Sequence, residues 1–243
     1  MESEIFGQHI SRKFNEELES LRSQVSTMGG LVERQLTDAI EAIVSADSQL
    51  GLQVASRDVQ VNQIEVEIDE ECGRILATRA PAAADLRLIV AVIKAITDLE
   101  RIGDEAQRIG ILAARLATEK QPADRYDELK TLADHVLDML HDALDAFSRL
   151  DAEDALKVVE EDKIVDEEYD MISRQCITLM MEDPRTIHRF MDVSWAARAL
   201  ERIGDHAKNI SEYVIYLVQG KDVRHTQIEA VREQVERANK ILK

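Results

Sequence analysis

The sequence is poor in the residues that make turns and sheets. Its 243 residues include 9 glycines and 3 prolines, and aromatics make up only 4%. A sandwich or barrel of short strands needs frequent turns and aromatic pairs, so this composition argues against both and for long helices. Cysteine is also scarce. Cys72 and Cys176 form no CxxC pair and fall on apolar helical stripes, which points to buried, reduced thiols. No long hydrophobic run occurs. The most apolar stretch, LRLIVAVIKAI at 86–96, carries Arg87 and Lys94 and is far too short to span a bilayer. The opening MESEIFGQHISRKF lacks the apolar segment of a signal peptide. Positive charge is in deficit, with 30 Lys and Arg against 48 Asp and Glu and a net charge of −18. Such a surface repels nucleic acid and anionic lipid and attracts cations and basic protein patches. The expectation is a cytoplasmic protein with no nucleic-acid partner and no membrane insertion.

What the chain does contain is a tandem repeat. LTDAIEAI (36–43) matches LHDALDAF (140–147) at an offset of 104, and the same offset pairs Asp47 with Asp151, Asp58 with Asp162 and Cys72 with Cys176. Beyond the next loop the offset drops to 101. Pro81 and Pro184 lie in that loop in the two copies, and Pro122 lies between the copies, all where helices should stop. Each copy reads as three helices: roughly 12–46, 48–79 and 84–117, then 124–149, 152–181 and 186–219. Asp47 and Asp151 are placed as N-caps. Val54, Val61, Ile68 and Ile75 recur every seven residues, matched by Val158, Val165, Ile172 and Leu179. Gly29-Gly30 interrupts the first helix and is expected to bend it. The fold class is therefore all-α, two tandem three-helix bundles: residues 1–120, residues 121–220, and a tail at 221–243. The tail carries an amphipathic segment with Ile228, Val231, Val235, Ile241 and Leu242.

The segment ERIGD occurs twice, at 100–104 and 201–205. Leu86, Ile89, Val90, Ile93 and Ile96 trace an apolar face whose continuation reaches Glu100, Gly103 and Asp104. In the second copy Phe190, Met191, Ser194 and Ala197 lead to Glu201, Gly204 and Asp205. Carboxylates aimed at a core must find cations or become neutral. Arg101 and Arg202 point about 100° away as sequence neighbours and are not automatic partners. The second helices add Asp58, Glu65 and Asp69 in one copy and Asp162, Asp166 and Asp170 in the other. Oxygen-only clusters of this kind suit Mg²⁺, Mn²⁺, Ca²⁺ or iron. The plainer alternative is a set of salt bridges in a highly charged bundle. Against it stand the repetition, the placement on the core face, and a mid-helix glycine that costs about 1 kcal/mol relative to alanine. Gly103 and Gly204 are read as sites of close helix approach.

Carboxylates in helical bundles also build di-metal oxidases, but those use Glu-x-x-His, and no ExxH occurs. The DxxH on the first helix of the second copy, Asp138 with His141, has Thr37 where the first copy would need its histidine. No GxxxxGK[ST] or GxGxxG loop is present to cradle a nucleotide. No catalytic residues are assigned. A carboxylate-bridged di-metal enzyme and a plain helical adaptor remain the alternatives.

The segments LERIGDEA and LERIGDHAKNI, the loops RAPAAADLR (79–87) and MMEDPRTI (180–187), and the ending VQGKDVRH (218–225) together resemble the PhoU family. The resemblance runs from NEELESLRSQVSTMGGLVE (15–33) to His225. It implies two similar three-helix bundles, commonly a homodimer, and E(D)xxxD motifs that bind metal clusters in some members. It also implies a regulator that represses the phosphate-starvation genes by linking the high-affinity phosphate transporter, through its ATPase subunit, to a sensor histidine kinase. The metal motif carries over onto Glu100, Asp104, Glu201 and Asp205, and further onto Asp58, Asn62, Asp162 and Asp166. The ion would be divalent or trivalent, Mg, Mn, Fe or Zn. One departure is that Arg108 aligns with Asn209, so a cation is expected to weaken the first site.

Overall fold

The computed structural model describes residues 12–81, 83–118, 127–224, 226, 229–233 and 235. Helices α1 (Arg12–Val44), α2 (Ser48–Arg79) and α3 (Ala83–Leu116) pack on one another. So do α4 (Asp127–Arg149), α5 (Ala152–Glu182) and α6 (Ile187–Gln219), with a short 3₁₀ turn at Pro184–Thr186 before α6. Among the described residues there are no strands. The bundles are joined along α3 and α6 and, less extensively, along α1 and α4, and their buried side chains form one hydrophobic cluster. The heptad positions Val54, Val61, Ile68 and Ile75 are 1% exposed or less, and Val158, Val165 and Ile172 are likewise buried, with Leu179 packed at the edge.

The first and second helices of each bundle are joined by the same turn. Asp47 accepts from the Gln49 and Leu50 amides at 2.9 and 3.0 Å; Asp151 accepts from those of Glu153 and Asp154 at 2.9 and 3.1 Å. The residue before each cap is left-handed, Ala46 with φ 52° and Leu150 with φ 55°. The cap amides return to Ala42 O and Ala146 O, each at 3.0 Å, closing the same helix ending. Ala46 is exposed, so Ala46→Gly removes the left-handed penalty at no packing cost. It is expected to raise stability by about 0.5–1 kcal/mol in urea melts.

Two expectations need correction. Gly29-Gly30 does not interrupt α1, which runs through both glycines. Gly29 instead admits α4: a Cβ there would lie 2.5 Å from Leu144 Cδ2. Leu86 and Met191 do not join the apolar faces; they are 42% and 36% exposed. Because α3 contacts α1, α2 and α6, its buried surface is centred on Ile89, Val92, Ile96, Leu99 and Ile102. In the tail Val231 and Val235 are buried, while Ile228, Ile241 and Leu242 lie outside the described residues.

Both cysteines are free and buried, and burial pushes Cys72 up to about 12 and Cys176 up to about 11. Thiolate is the reactive form. Ellman's reagent is therefore expected to label neither in the native protein and both after guanidinium.

Candidate metal-binding carboxylate clusters

In the first bundle, α3 closes on α2 at the ERIGD glycine. A Cβ on Gly103 would stand 3.1 Å from Asp58 Oδ1 and 3.3 Å from Val61 Cγ1. Asp58 is 2% exposed. Two neutral amides serve it: Gln35 of α1 donates to Oδ1 at 3.2 Å and Asn62 to Oδ2 at 3.3 Å. Burial raises the Asp58 carboxyl against the lowering effect of Gln35, and the charge of Asp104 adds to the rise. Glu100 is half-buried and raised by burial and then by Asp104; Glu65 is raised chiefly by burial, with Arg101 opposing. Asp58, Glu65, Glu100 and Asp104 thus share one repulsive field. Arg101 does serve the pair, 3.4 Å from Glu100 Oε2 and 3.6 Å from Asp104 Oδ2, because its long side chain folds back along its own helix.

The second bundle repeats the scaffold with different partners. A Cβ on Gly204 would lie 3.2 Å from Val165 Cγ1. Asp162 is 6% exposed and accepts from the Lys208 ammonium at 2.5 Å. Glu201 is 8% exposed; Arg198 donates to its Oε1 at 2.6 Å, and its Oε2 is buried with no hydrogen-bond partner. Burial, then Asp205, pushes Glu201 up to about 6, with Arg198 opposing. Asp166 and Asp205 are exposed, yet desolvation by the neighbouring helices and then Asp162 raise both. Arg202 leaves this cluster and reaches Glu105 across the bundle seam.

Arg108 does not enter the first cluster; it pairs with Glu105 at 2.9 Å, and Asn209 turns to Asp98 at 3.1 Å. The intruding lysine is in the second cluster. Asp69 and Asp170 are exposed. His141 bonds Glu33 of α1 at 2.8 Å, away from either cluster. Among the described residues no three Asp, Glu, His or Cys side chains already converge as a ligand set. The carboxylates surround each helix contact while several of them hold a basic side chain. The buried, unpartnered Glu201 Oε2 is the feature that fits a hard cation, and the oxygen-only donors fit Mg²⁺, Mn²⁺ or iron better than Zn²⁺.

Sequence reasoning missed a third polar cluster. Asp98 on α3 is 8% exposed; it accepts from Asn209 and from Tyr213 Oη at 2.8 Å, and His206 Nδ1 lies 2.7 Å from it. All three partners come from α6, so this carboxylate joins the two bundles. Its repeat equivalent is Ala199, which no motif would flag.

The raised Glu201 carboxyl has a direct consequence for stability. The folded state binds its proton more tightly than the unfolded chain does. Its contribution is therefore fully present below pH 4.5 and is lost as pH rises through about 6. In chelator, Glu201→Gln removes this loss. Relative to wild type, the variant is expected to gain about 1–2 kcal/mol between pH 4 and pH 7.5, read from paired urea melts.

These features define an all-α protein of paired three-helix bundles, each holding a carboxylate cluster between its second and third helices. The PhoU domain model matches it twice, over residues 25–113 and 129–214, and the chain belongs to the PhoU family. A phosphate-specific transport system accessory protein PhoU homolog from Pseudomonas putida is 54% identical over 228 residues, covering 94% of this chain and 89% of that protein. The crystal structure of PhoU from Pseudomonas aeruginosa superposes with a TM-score of 0.83 at 53% identity, covering 86% of this chain and 100% of that one. The phosphate transport system regulatory protein PhoU from Streptococcus pneumoniae superposes with a TM-score of 0.80 at 30% identity, covering 86% and 99%.

Proposed function

We propose that this chain is a non-catalytic, cytoplasmic regulator of phosphate uptake. It acts with the high-affinity phosphate transporter, contacting the ATPase subunit, and with a sensor histidine kinase, which it holds in the repressing mode while phosphate is plentiful. The observation that carries this reading is the two-fold match to the PhoU domain, together with relatives named for the phosphate-specific transport system and its regulation. The net charge of −18 supports docking on basic surfaces of such partners, at rates that salt lowers. Among the described residues no helix is long and apolar enough to cross a membrane, in keeping with an accessory role beside membrane proteins.

On this reading the carboxylate clusters hold metal ions. Glu100, Asp104 and Asp58, with Asn62 beside them, would hold one; Glu201, Asp205, Asp162 and Asp166 would hold the other. A bound cation would offset the burial and the like-charge repulsion that raise Asp58, Glu100, Asp166, Glu201 and Asp205, and would brace the second helix against the third. The protein would act as a homodimer. Deleting the gene is expected to switch phosphate-starvation genes on in phosphate-rich medium, measured with a transcriptional reporter. A reporter that stays silent in the deletion strain would overturn the regulatory reading.

A further inference from the structure

The two clusters are built on one scaffold, yet they neutralise their buried aspartate differently. In the first, Asp58 takes uncharged donors, Gln35 and Asn62. In the second, the residue equivalent to Gln35 is Met139, whose thioether donates nothing, and the residue equivalent to Asn62 is Asp166. Asp162 is 6% exposed and has lost both amides. Its Oδ2 takes the Lys208 ammonium instead. The residue equivalent to Lys208 in the first copy is Gln107, which turns away and donates to the Ala55 carbonyl at 3.1 Å. A second cation follows the same rule: Arg198 sits on Glu201 Oε1, whereas its equivalent, Thr97, donates to its own helix at the Ile93 carbonyl. Thus two basic side chains hold the second cluster, and in the first Arg101 stands only loosely against Glu100 and Asp104.

We propose that Lys208 is a tethered cation occupying the second carboxylate cluster, so that a divalent ion must displace its ammonium and the two clusters fill in order, the first before the second. The proposal rests on the metal reading above. Glu201 Oε2, more than nine-tenths buried and unpartnered, marks the place in the second cluster that Lys208 and Arg198 leave unserved. An incoming ion gains that oxygen but must give up the Lys208–Asp162 contact. The Lys208 side chain is 31% exposed, so a short swing takes its ammonium to water. The chain then has one readily loaded ion and one that loads only at higher ion concentration, a graded response from a single polypeptide.

Mn²⁺ binding, followed by electron paramagnetic resonance, tests this. Glu100→Gln with Asp104→Asn isolates the second cluster, and Glu201→Gln with Asp205→Asn isolates the first. The first cluster is expected to bind Mn²⁺ at least about tenfold more tightly than the second. Adding Lys208→Gln to the isolated second cluster is expected to recover about that factor. Because Lys208→Gln alone strands the buried Asp162, Met139→Gln/Lys208→Gln is made beside it, restoring the amide that serves Asp58. An independent readout is Lys208 acetylation by acetic anhydride at fixed pH, which is expected to speed up when Mn²⁺ is added to the wild-type chain. If the isolated second cluster binds Mn²⁺ equally well with and without Lys208, and acetylation is unchanged, Lys208 is no competitor and the metal reading stands without it. If no variant and no wild-type protein binds Mn²⁺, the metal reading falls and takes this proposal with it.

Discussion

Asp98→Ala is expected to cost about 3–5 kcal/mol of folding stability, the range for removing one partner from a buried charged network. The side chain is 8% exposed and faces His206, Asn209 and Tyr213, all on α6. Truncation leaves the Tyr213 hydroxyl and the Asn209 amide without their shared acceptor in the seam between the bundles. Asp98→Asn keeps the volume and one acceptor oxygen, so its loss should be about half as large. Urea unfolding followed by circular dichroism measures both. The loss falls on the seam between bundles, so amide exchange should rise first along α3 and α6. An alanine variant within 1 kcal/mol of wild type would mean that apolar packing alone holds the bundles together.

Gly51→Val should be comparably severe. In the first bundle α2 and α3 cross at Gly51 and Gly110. A Cβ on Gly51 would lie 2.4 Å from the Gly110 carbonyl oxygen and 3.2 Å from the Ala114 amide nitrogen; one on Gly110 would lie 2.7 Å from Gly51 O. The obstacles are backbone atoms, which cannot rotate out of the way. Overpacking of this kind sits at or above the upper end of its usual range, about 3 kcal/mol. Alanine offsets part of this by about 1 kcal/mol of helix propensity, giving a net loss of about 2 kcal/mol. Valine adds two methyl groups without that gain, and about 4 kcal/mol is expected. The second copy carries Ala155 and Ser211 at these positions, so its helices cross with side chains between them.

Local and periodic features were legible in the sequence; contacts between distant positions were not. Recurrence every seven residues marked Val54, Val61, Ile68 and Ile75, and each is buried, because one face of α2 meets one core. The two caps were readable because an aspartate immediately before a helical run has one backbone task. Periodicity misled on α3: Leu86 and Ile93 share a stripe with Glu100, but the helix is packed on three sides and its most buried line lies beside that stripe. Asp98 could not be linked to Tyr213 by spacing, since 115 residues and two bundles separate them. Lys208 against Gln107, and Met139 against Gln35, stood in the aligned copies throughout. They acquire meaning only once the fold brings the second helix, the third helix and the first to one carboxylate.

The central claim is that the paired carboxylate clusters serve phosphate-dependent repression. The most direct measurement returns the gene to a deletion strain in two forms, wild type and the quadruple variant Glu100→Gln, Asp104→Asn, Glu201→Gln, Asp205→Asn. A phosphate-starvation reporter is then read in phosphate-rich medium, with circular dichroism and protein level confirming that both forms are folded and equally abundant. Wild type is expected to silence the reporter and the quadruple variant to leave it on. A quadruple variant that silences the reporter as fully as wild type would contradict the claim.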